Sequence, residues 1–436
     1  MKKVLAILLV LVMVFGLAAC GTTPANNTPA NNTTPANNTT PANNTTPANN
    51  TTPANNTTPA AKTYNVGMVC IGDENAAYDR NFYMAADAAK AQLAKEGIDI
   101  NWIYTYHHPE GDPVRDDCEE LAGDKNCIAV FLNSYGMEPA MLQIAKDYPN
   151  TVFAGLTNEG SWKDDLPNTI NAFPSIYEGR YLAGVAAGCK LNEMIAEGKI
   201  TADKAVIGYV GAYTFAEVVS GYTAFFLGAR SVCPSATMIV KFIGSWGDPT
   251  MEAATAKDLI DNGAVLISQH SDSTTPATTA QENKVFHVGY NISMSDIAAD
   301  ASIISSRIDW TNFFVKVIKA QVNGAKQDQD YVDHGIKDGD VVLTELNTKI
   351  AAKDTAEAIK KAEDAIKAGT LQVFDTSTFT VDGKVVDHAF AIDTDGDFTP
   401  DKEEAVYDGA FHESHFQSAP YFALRIDGIK LLNEEY

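Results

Sequence analysis

The chain has 436 residues, of which 20% are charged and 45% hydrophobic, with 30 Gly and 18 Pro. This ordinary usage excludes collagen, a coiled coil and a polytopic membrane protein, and the length suffices for two domains. The formal charge of −24 disfavours nucleic-acid binding, because an acidic surface repels phosphate backbones.

The first segment reads as a signal peptide over residues 1–19. Lys2 and Lys3 form a positive start, and the apolar run Leu5–Leu17 is too short for a comfortable membrane span. It ends in Leu17-Ala18-Ala19-Cys20-Gly21, which resembles a bacterial lipobox. The resemblance implies lipidation of Cys20 and attachment to the outer face of the cell membrane. Residues 20–61 then carry a Pro-Ala-Asn-Asn-Thr-Thr repeat, with almost nothing apolar to bury. Such a tract is expected to stay disordered and extended, as a tether reaching up to ~3.1 Å per residue.

The folded part is expected from Tyr64. Tyr64–Cys70 reads as a strand, Tyr78–Lys95 as a helix, Ile98–Tyr106 as a strand and Pro113–Leu121 as a helix. Cys127–Leu132 and Thr151–Leu156 read as strands around a helix at Glu138–Lys146. A long helix, Tyr177–Gly188, separates this from a second series. There the strands are Ala205–Val210, Thr237–Ile243, Val265–Gln269, Val285–Val288 and Ser302–Ile308. The helices between and after them are Glu217–Ser231, Met251–Asn262, Thr274–Asn283 and Phe313–Val322. Continuous Val/Ile/Phe strands alternating with helices imply parallel sheets covered on both faces, here an α/β protein of two lobes with about five strands each. Val341–Leu343, the Ala-rich helix Ala356–Ala368 and a strand-turn-strand over Leu371–Val386 extend neither lobe cleanly, so the chain is expected to cross back between lobes. The predicted partition is 64–173 with 297–330 for the first lobe, 174–296 with 331–386 for the second, and 387–436 as a C-terminal extension.

In open α/β sheets a ligand lies beyond the carboxyl ends of the strands. The loops there mix aromatics with carboxylates, amides and hydroxyls. The first carries Tyr78, Asp79, Asn81 and Phe82, and the third Asn133, Ser134 and Tyr135. In the second lobe they carry Tyr213, Phe215 and Glu217, then Trp246, His270 with Asp272, and Tyr290. Rings stack on a flat ligand while Asp or Asn hold its edge. Asp248 before Pro249 instead reads as a helix cap.

Four segments carry a family resemblance. Tyr177-Glu-Gly-Arg-Tyr-Leu-Ala-Gly184, Phe226-Leu-Gly-Ala-Arg-Ser231, Gly244-Ser-Trp-Gly-Asp-Pro249 and Ser268-Gln-His-Ser-Asp-Ser273 resemble the basic membrane protein family, lipoproteins similar to purine-nucleoside receptors of ABC importers. The resemblance runs from about Tyr64 to Gly324. It implies a type I periplasmic-binding-protein fold, two doubly wound lobes joined by a hinge, with a purine base or nucleoside as ligand. It places Tyr78, with Phe82 as alternative, and Trp246 as stacking rings, and Asp272 as the carboxylate on the purine edge. Glu217 matches a family Glu, and Asn81, Tyr135 and Tyr290 complete the candidate set. Several relatives carry Trp near Ala76. His412–Phe422 looks like a clade-specific tail. The resemblance also implies an ABC permease as partner, and the protein is expected to act as a monomer. A sensory lipoprotein and a sugar-binding member of the same fold are the alternatives.

Asp393, Asp395, Asp397, Asp401 and Glu404 nearly fit a calcium loop, but Phe398 stands where the motif needs Gly. An acidic surface turn is the plainer reading, and no cofactor is expected. His107, His108, His412 and His415 read as loop histidines. With no C-x-x-C, Cys70, Cys118, Cys127, Cys189 and Cys233 read as free thiols, although Cys118 and Cys127 could bridge. No nucleophile elbow or P-loop occurs, so catalysis is not expected.

Overall fold

The computed structural model describes residues 62–157, 166–394 and 399–434. Cys20, the signal segment 1–19, the repeat to 61, Asp395 and Asp397 lie outside the described residues.

The first lobe is built from β1 (Thr63–Val69), α1 (Ala77–Lys95), β2 (Asp99–Thr105), α2 (Val114–Glu119), β3 (Ala129–Leu132), α3 (Glu138–Ile144), β4 (Val152–Leu156) and β5 (Thr169–Ala172). Its strands form a parallel sheet in the order β2-β1-β3-β4-β5. Residues of α1 and of the later helix α8 (Thr311–Asn323) cover one face. Those of α2 and α3, including Val114, Cys118 and Met141, cover the other. β5 escapes sequence reading because Thr-Ile-Asn-Ala has no apolar run, yet all four residues are buried.

The second lobe contains α4 (Ile176–Ala196), β6 (Val206–Gly211), α5 (Ala216–Val232), β7 (Thr237–Phe242), α6 (Pro249–Asp261), β8 (Leu266–Gln269), α7 (Thr275–Glu282), β9 (Phe286–Tyr290) and β10 (Ser302–Ile308). The order β10-β9-β8-β6-β7 is parallel. β11 (Val341–Leu343) adds antiparallel beside β10. The expected five strands become seven. Residues of α4 and α5 pack in one core and those of α6 and α7 in another, so this sheet too is wound on both faces. Helix α6 begins as its sequence predicts: the Asp248 carboxylate accepts from the Thr250 and Met251 amides, each at 3.0 Å, with Pro249 in the first turn. Asp248→Ala should therefore cost about 1 kcal/mol, read as a thermal midpoint lower by a few degrees or less; no shift would mean that the cap is redundant.

One of the predicted boundaries moves. β10 belongs to the second sheet, so the return to the first lobe starts at Asp309, not at 297. There α8 packs beside α1, and Asn171 bridges to Asp330 at the edge of the first sheet. The chain thus crosses between lobes at 173–175, near 309 and near 331–340. Those crossings are tied together: Ser175 N donates to His334 O at 2.7 Å, Asp309 N to Asp340 O at 2.7 Å, and the Tyr331 hydroxyl to Asp340 at 2.8 Å.

The C-terminal part also departs from expectation. After α9 (Thr355–Lys367), Leu371–Val386 forms no named strands; Val381 bridges Lys384, and Asp375 bridges Ala410. Phe374 and Phe379 instead bury themselves around Phe422, the Phe374 and Phe422 rings stacking at 4.2 Å. Two small hairpins follow, β12 (Phe390–Ile392) with β13 (Lys402–Glu404) and β14 (Val406–Tyr407) with β15 (Ala410–Phe411). The last strand, β16 (Ile429–Leu431), lies parallel to β7 and completes the second sheet. The extension is therefore part of the lobe. It buries Glu413, whose carboxyl burial pushes up to about 8 although it accepts from Phe422 N at 2.7 Å. The five cysteines of the described residues are free, including Cys118 and Cys127.

Candidate ligand-binding cleft

Each sheet reverses its winding once, between β1 and β3 in the first lobe and between β6 and β8 in the second. Crevices open at the carboxyl ends of strands at such points, and the two face one another. The first lobe contributes Ile71 after β1, Tyr78 in the first turn of α1, Ser134 and Tyr135 after β3, and Thr157 after β4. The second contributes Glu217 in the first turn of α5, Trp246 after β7, His270 and Asp272 after β8, and Tyr290 at the end of β9. Six of the eight predicted ligand residues thus line one cleft: Tyr78, Tyr135, Glu217, Trp246, Asp272 and Tyr290.

Asn81 and Phe82 do not. Phe82 is fully buried and stacks on Trp310 at 5.2 Å, with the Tyr78 ring edge-on at 4.9 Å. Phe82 lies one helical turn beyond Tyr78 on the same face, which takes it into the core. Asn81 is turned to the crossing: its amide donates to Ile308 O at 2.8 Å and its oxygen accepts from Arg307 at 3.2 Å. It pins α1 to the end of β10.

Aromatic rings dominate the second lobe's wall. Tyr213 and Phe215 stack at 5.1 Å, and Trp246 meets Tyr213 edge-on at 5.0 Å. Tyr135 reaches across from the first lobe to within 5.9 Å of Phe215. With the lobes drawn together the cavity volume is only about 20 Å³, room for about one water.

A buried polar network backs this wall. Arg180 lies 3.4 Å over the Tyr290 ring and donates to Gln269 O at 2.9 Å and to His270 Nδ1 at 3.3 Å. Since a guanidinium only donates, His270 Nδ1 accepts, and the ring proton sits on Nε2, facing Glu217 Oε1 at 3.1 Å. Burial, with the Arg180 charge adding to it, lowers the His270 pKa and keeps the ring neutral.

Asp272 is held differently. Its amide donates to Trp246 O at 2.8 Å, joining the two loops. The flanking Ser271 and Ser273 hydroxyls both bond to the buried Glu252, at 3.0 and 2.6 Å. The loop is thereby fixed from below, while the Asp272 carboxylate has no hydrogen-bond partner among the described residues. Burial raises its pKa well above the usual carboxylate range, and Asp79, Glu252 and Glu217 push in the same direction. Asp79, by contrast, is satisfied, accepting from Gly72 N at 3.1 Å and Asn133 Nδ2 at 2.8 Å. Tyr78 is oriented by its hydroxyl, which donates to Asn133 O at 2.6 Å.

Ile71, Ser134, Thr157 and His270 are absent from the candidate set of the sequence, although Ser134 and His270 stand in the loops singled out above. Thr157 has φ of 89°. A β-branched residue rarely adopts this, and such strain clusters at ligand sites; nothing in the sequence signals it.

At the acidic loop, Asp401 accepts from the Thr394 hydroxyl at 2.7 Å. Glu404 accepts from the Ala389 and Val406 amides, each at 3.0 Å, and pairs with His388. These carboxylates serve the hairpin, and among the described residues no group of three His, Cys, Asp or Glu side chains is placed to hold a metal ion.

Comparison with known proteins gives a consistent outline. The family described as ABC transporter substrate-binding protein PnrA-like (Bmp) matches residues 66–375. A purine-binding protein of Brucella abortus is 29% identical over 310 residues, 71% of this chain and 82% of its own length. A putative ABC transporter glucose-binding protein of Haloferax volcanii is 30% identical over 318 residues, 73% of this chain and 76% of its own. Among solved structures, a solute-binding protein of an ABC transporter system from Aeropyrum pernix K1 superposes with a TM-score of 0.58 at 15% identity, covering 71% of this chain and 93% of that one. At that identity the likeness shows the fold, which is of the type I periplasmic-binding kind.

Proposed function

The chain belongs to the PnrA-like (Bmp) family of ABC transporter substrate-binding proteins, and from that premise we propose that its cleft captures a purine base or purine nucleoside. The family consists of extracytoplasmic solute-binding proteins of importers, not of enzymes. The observation that carries the ligand reading is the Asp272 carboxylate, fixed in the cleft beside Trp246 with no hydrogen-bond partner among the described residues. A carboxylate only accepts, so it asks for a ring N–H or an exocyclic amine. Trp246 and Tyr78, contributed by opposite lobes, offer ring faces to a flat heterocycle. The Brucella relative, a purine-binding protein, supports the same reading.

The cleft admits such a ligand only when the lobes part at the three crossings. Closing on it then excludes water, which strengthens each polar contact. The closed form is what the permease reads, a hinge-type switch. Lipidation at Cys20 holds the protein on the outer face of the membrane, with the repeat as tether. This reading needs no cofactor.

A sugar is the second reading. The Haloferax relative favours it, and rings beside a carboxylate also suit a pyranose. A thermal-shift panel on protein refolded after unfolding, to strip bound ligand, separates the two. Adenine, guanine, hypoxanthine, their nucleosides and glucose form the panel. A ligand at 100 times its Kd adds about 2.7 kcal/mol, a shift of a few degrees or less for this size. A shift with purines and none with glucose is expected. A glucose shift with purines inert overturns the purine reading, and a well-folded sample that responds to neither rejects both.

A further inference from the structure

The segment His412–Ser418 is fastened on both sides of the boundary between the lobes. On one side it belongs to the second lobe. Glu413 is buried and accepts from Phe422 N at 2.7 Å, and Phe422 stacks on Phe374, whose ring lies 5.3 Å from that of Tyr177 on α4. The Tyr177 hydroxyl also donates to Glu413 O at 3.4 Å. On the other side the segment grips the first lobe. Ser418 N donates to the Asp330 carboxylate, at 3.2 Å from either oxygen. Asp330 stands at the edge of the first sheet, beside Asn171 of β5. Its neighbours fix it there: Asn171 N donates to Gln329 O at 2.8 Å, and Tyr331 N to Asn171 O at 3.1 Å. Residues 412–418 lie beyond 375, where the family match ends, so membership assigns them no role.

The third crossing runs between these two fastenings. There Asp333 N donates to Ser414 O at 3.0 Å. Both residues have left-handed backbones, with φ of 58° at Asp333 and 62° at Ser414. Non-glycine residues are uncommon in that region, and such strain clusters at ligand clamps and switches, where the surroundings enforce it. The ion pair of His415 with Asp333, at 3.1 Å, is exposed and adds little. The Asp333 bond lies within the crossing, close to where the lobes turn, so opening moves it little. The Ser418–Asp330 bond instead joins the second lobe to the sheet edge of the first, and rotation at the crossing draws donor from acceptor. Neither Ser418 nor Asp330 lines the cleft.

We propose that His412–Ser418 is a clasp: the Ser418–Asp330 hydrogen bond forms when the lobes close on a ligand, breaks when they part, and so retains the ligand without touching it. The clasp goes beyond the purine reading, because a contact outside the cleft favours the closed form whatever ligand fills it. A link made only in the closed form acts on release and leaves capture little changed.

Calorimetry and stopped-flow release with adenine, adenosine and glucose test this on the full chain. Asp330→Ala removes the acceptor and Ser418→Pro the donor. Each is expected to weaken every ligand that binds by roughly 10-fold, nearly all of it in the release rate. The double variant should lose no more than either alone, and Asp330→Asn, which keeps an acceptor oxygen, should recover most of the affinity. The ligand-free melting point should stay near that of the unaltered protein. A melting point that falls while affinity holds makes the bond a permanent joint and overturns the clasp. A loss confined to one ligand overturns it too, because these residues would then be reading that ligand. Hydrogen exchange decides without any ligand, so failure of the purine reading stays distinguishable. In ligand-stripped protein the Ser418 amide is expected to exchange faster than the Tyr331 amide, which pairs inside the first lobe. Equal protection of the two would show a bond that does not open with the lobes.

Discussion

Asp272→Asn is expected to weaken purine binding by about 1–3 kcal/mol, roughly 5- to 150-fold. The substitution preserves shape but turns half of an acceptor-only group into a donor, which then faces the ligand's own donor. The loop itself should be unaffected, because Glu252 holds Ser271 and Ser273 from below. The pH dependence is the sharper readout. Burial, followed by the charges of Asp79, Glu252 and Glu217, holds the ligand-free Asp272 pKa above the usual range, with Arg180 opposing. As pH falls, Asp272 therefore takes up a proton earlier than an ordinary Asp. A ligand N–H needs the ionised form, so affinity rises with pH through that raised pKa and is lost below it. Burial depresses the His270 pKa, with the Glu217 hydrogen bond opposing, so His270 titrates below the ordinary histidine range. Calorimetry over a pH series running from the ordinary Asp range upward should show the rise in the unaltered protein and its absence in Asp272→Asn. An identical slope in both would remove Asp272 from the purine edge.

Gly228→Ala should be the most damaging small substitution in the second lobe. A Cβ built at Gly228 would lie 2.0 Å from the Tyr181 carbonyl oxygen, and one at Gly184 would lie 2.0 Å from that of Phe225. Helices α4 and α5 therefore touch backbone to backbone, each through a glycine. No side chain can swing away to relieve either clash, so the helices must separate along a buried face. The expected cost is on the order of 3–5 kcal/mol, with the thermal midpoint falling by about 10 °C or the chain failing to fold. A variant melting within about a degree of the unaltered protein would show that the helices can slide apart cheaply.

These glycines sit in two of the four segments that carry the family resemblance, Tyr177–Gly184 and Phe226–Ser231. The other two carry Trp246 and Asp272. Half of the recognisable signal therefore records a helix contact and half records the cleft, a distinction invisible until the two helices are seen to touch. Arg180, inside the first segment, joins the two by reaching from α4 to His270 and Tyr290.

The α/β alternation was legible because strands buried on both faces are written as unbroken Val, Ile and Phe runs, and covering helices as periodic ones. The cleft loops followed from topology, since ligand positions sit at strand carboxyl ends. Which side chain of a loop enters the cleft was not legible: Tyr78, Asn81 and Phe82 span little more than one turn of α1, and the neighbouring elements Trp310 and Ile308 decide that Tyr78 faces the cleft, Phe82 the core and Asn81 the crossing. The same holds for β5, buried by its neighbours despite a polar composition, and for Leu371–Val386, whose aromatics bury against Phe422 instead of forming strands.

Sequence alone thus determined the class of fold, its two lobes and the set of loops that meet. Local composition and period encode these, because they depend on which residues must leave water. Only tertiary structure decided the return of β16 to the second sheet and the unpartnered state of Asp272. Those depend on contacts between residues far apart in the chain, and no local pattern records what a distant segment will cover or leave open.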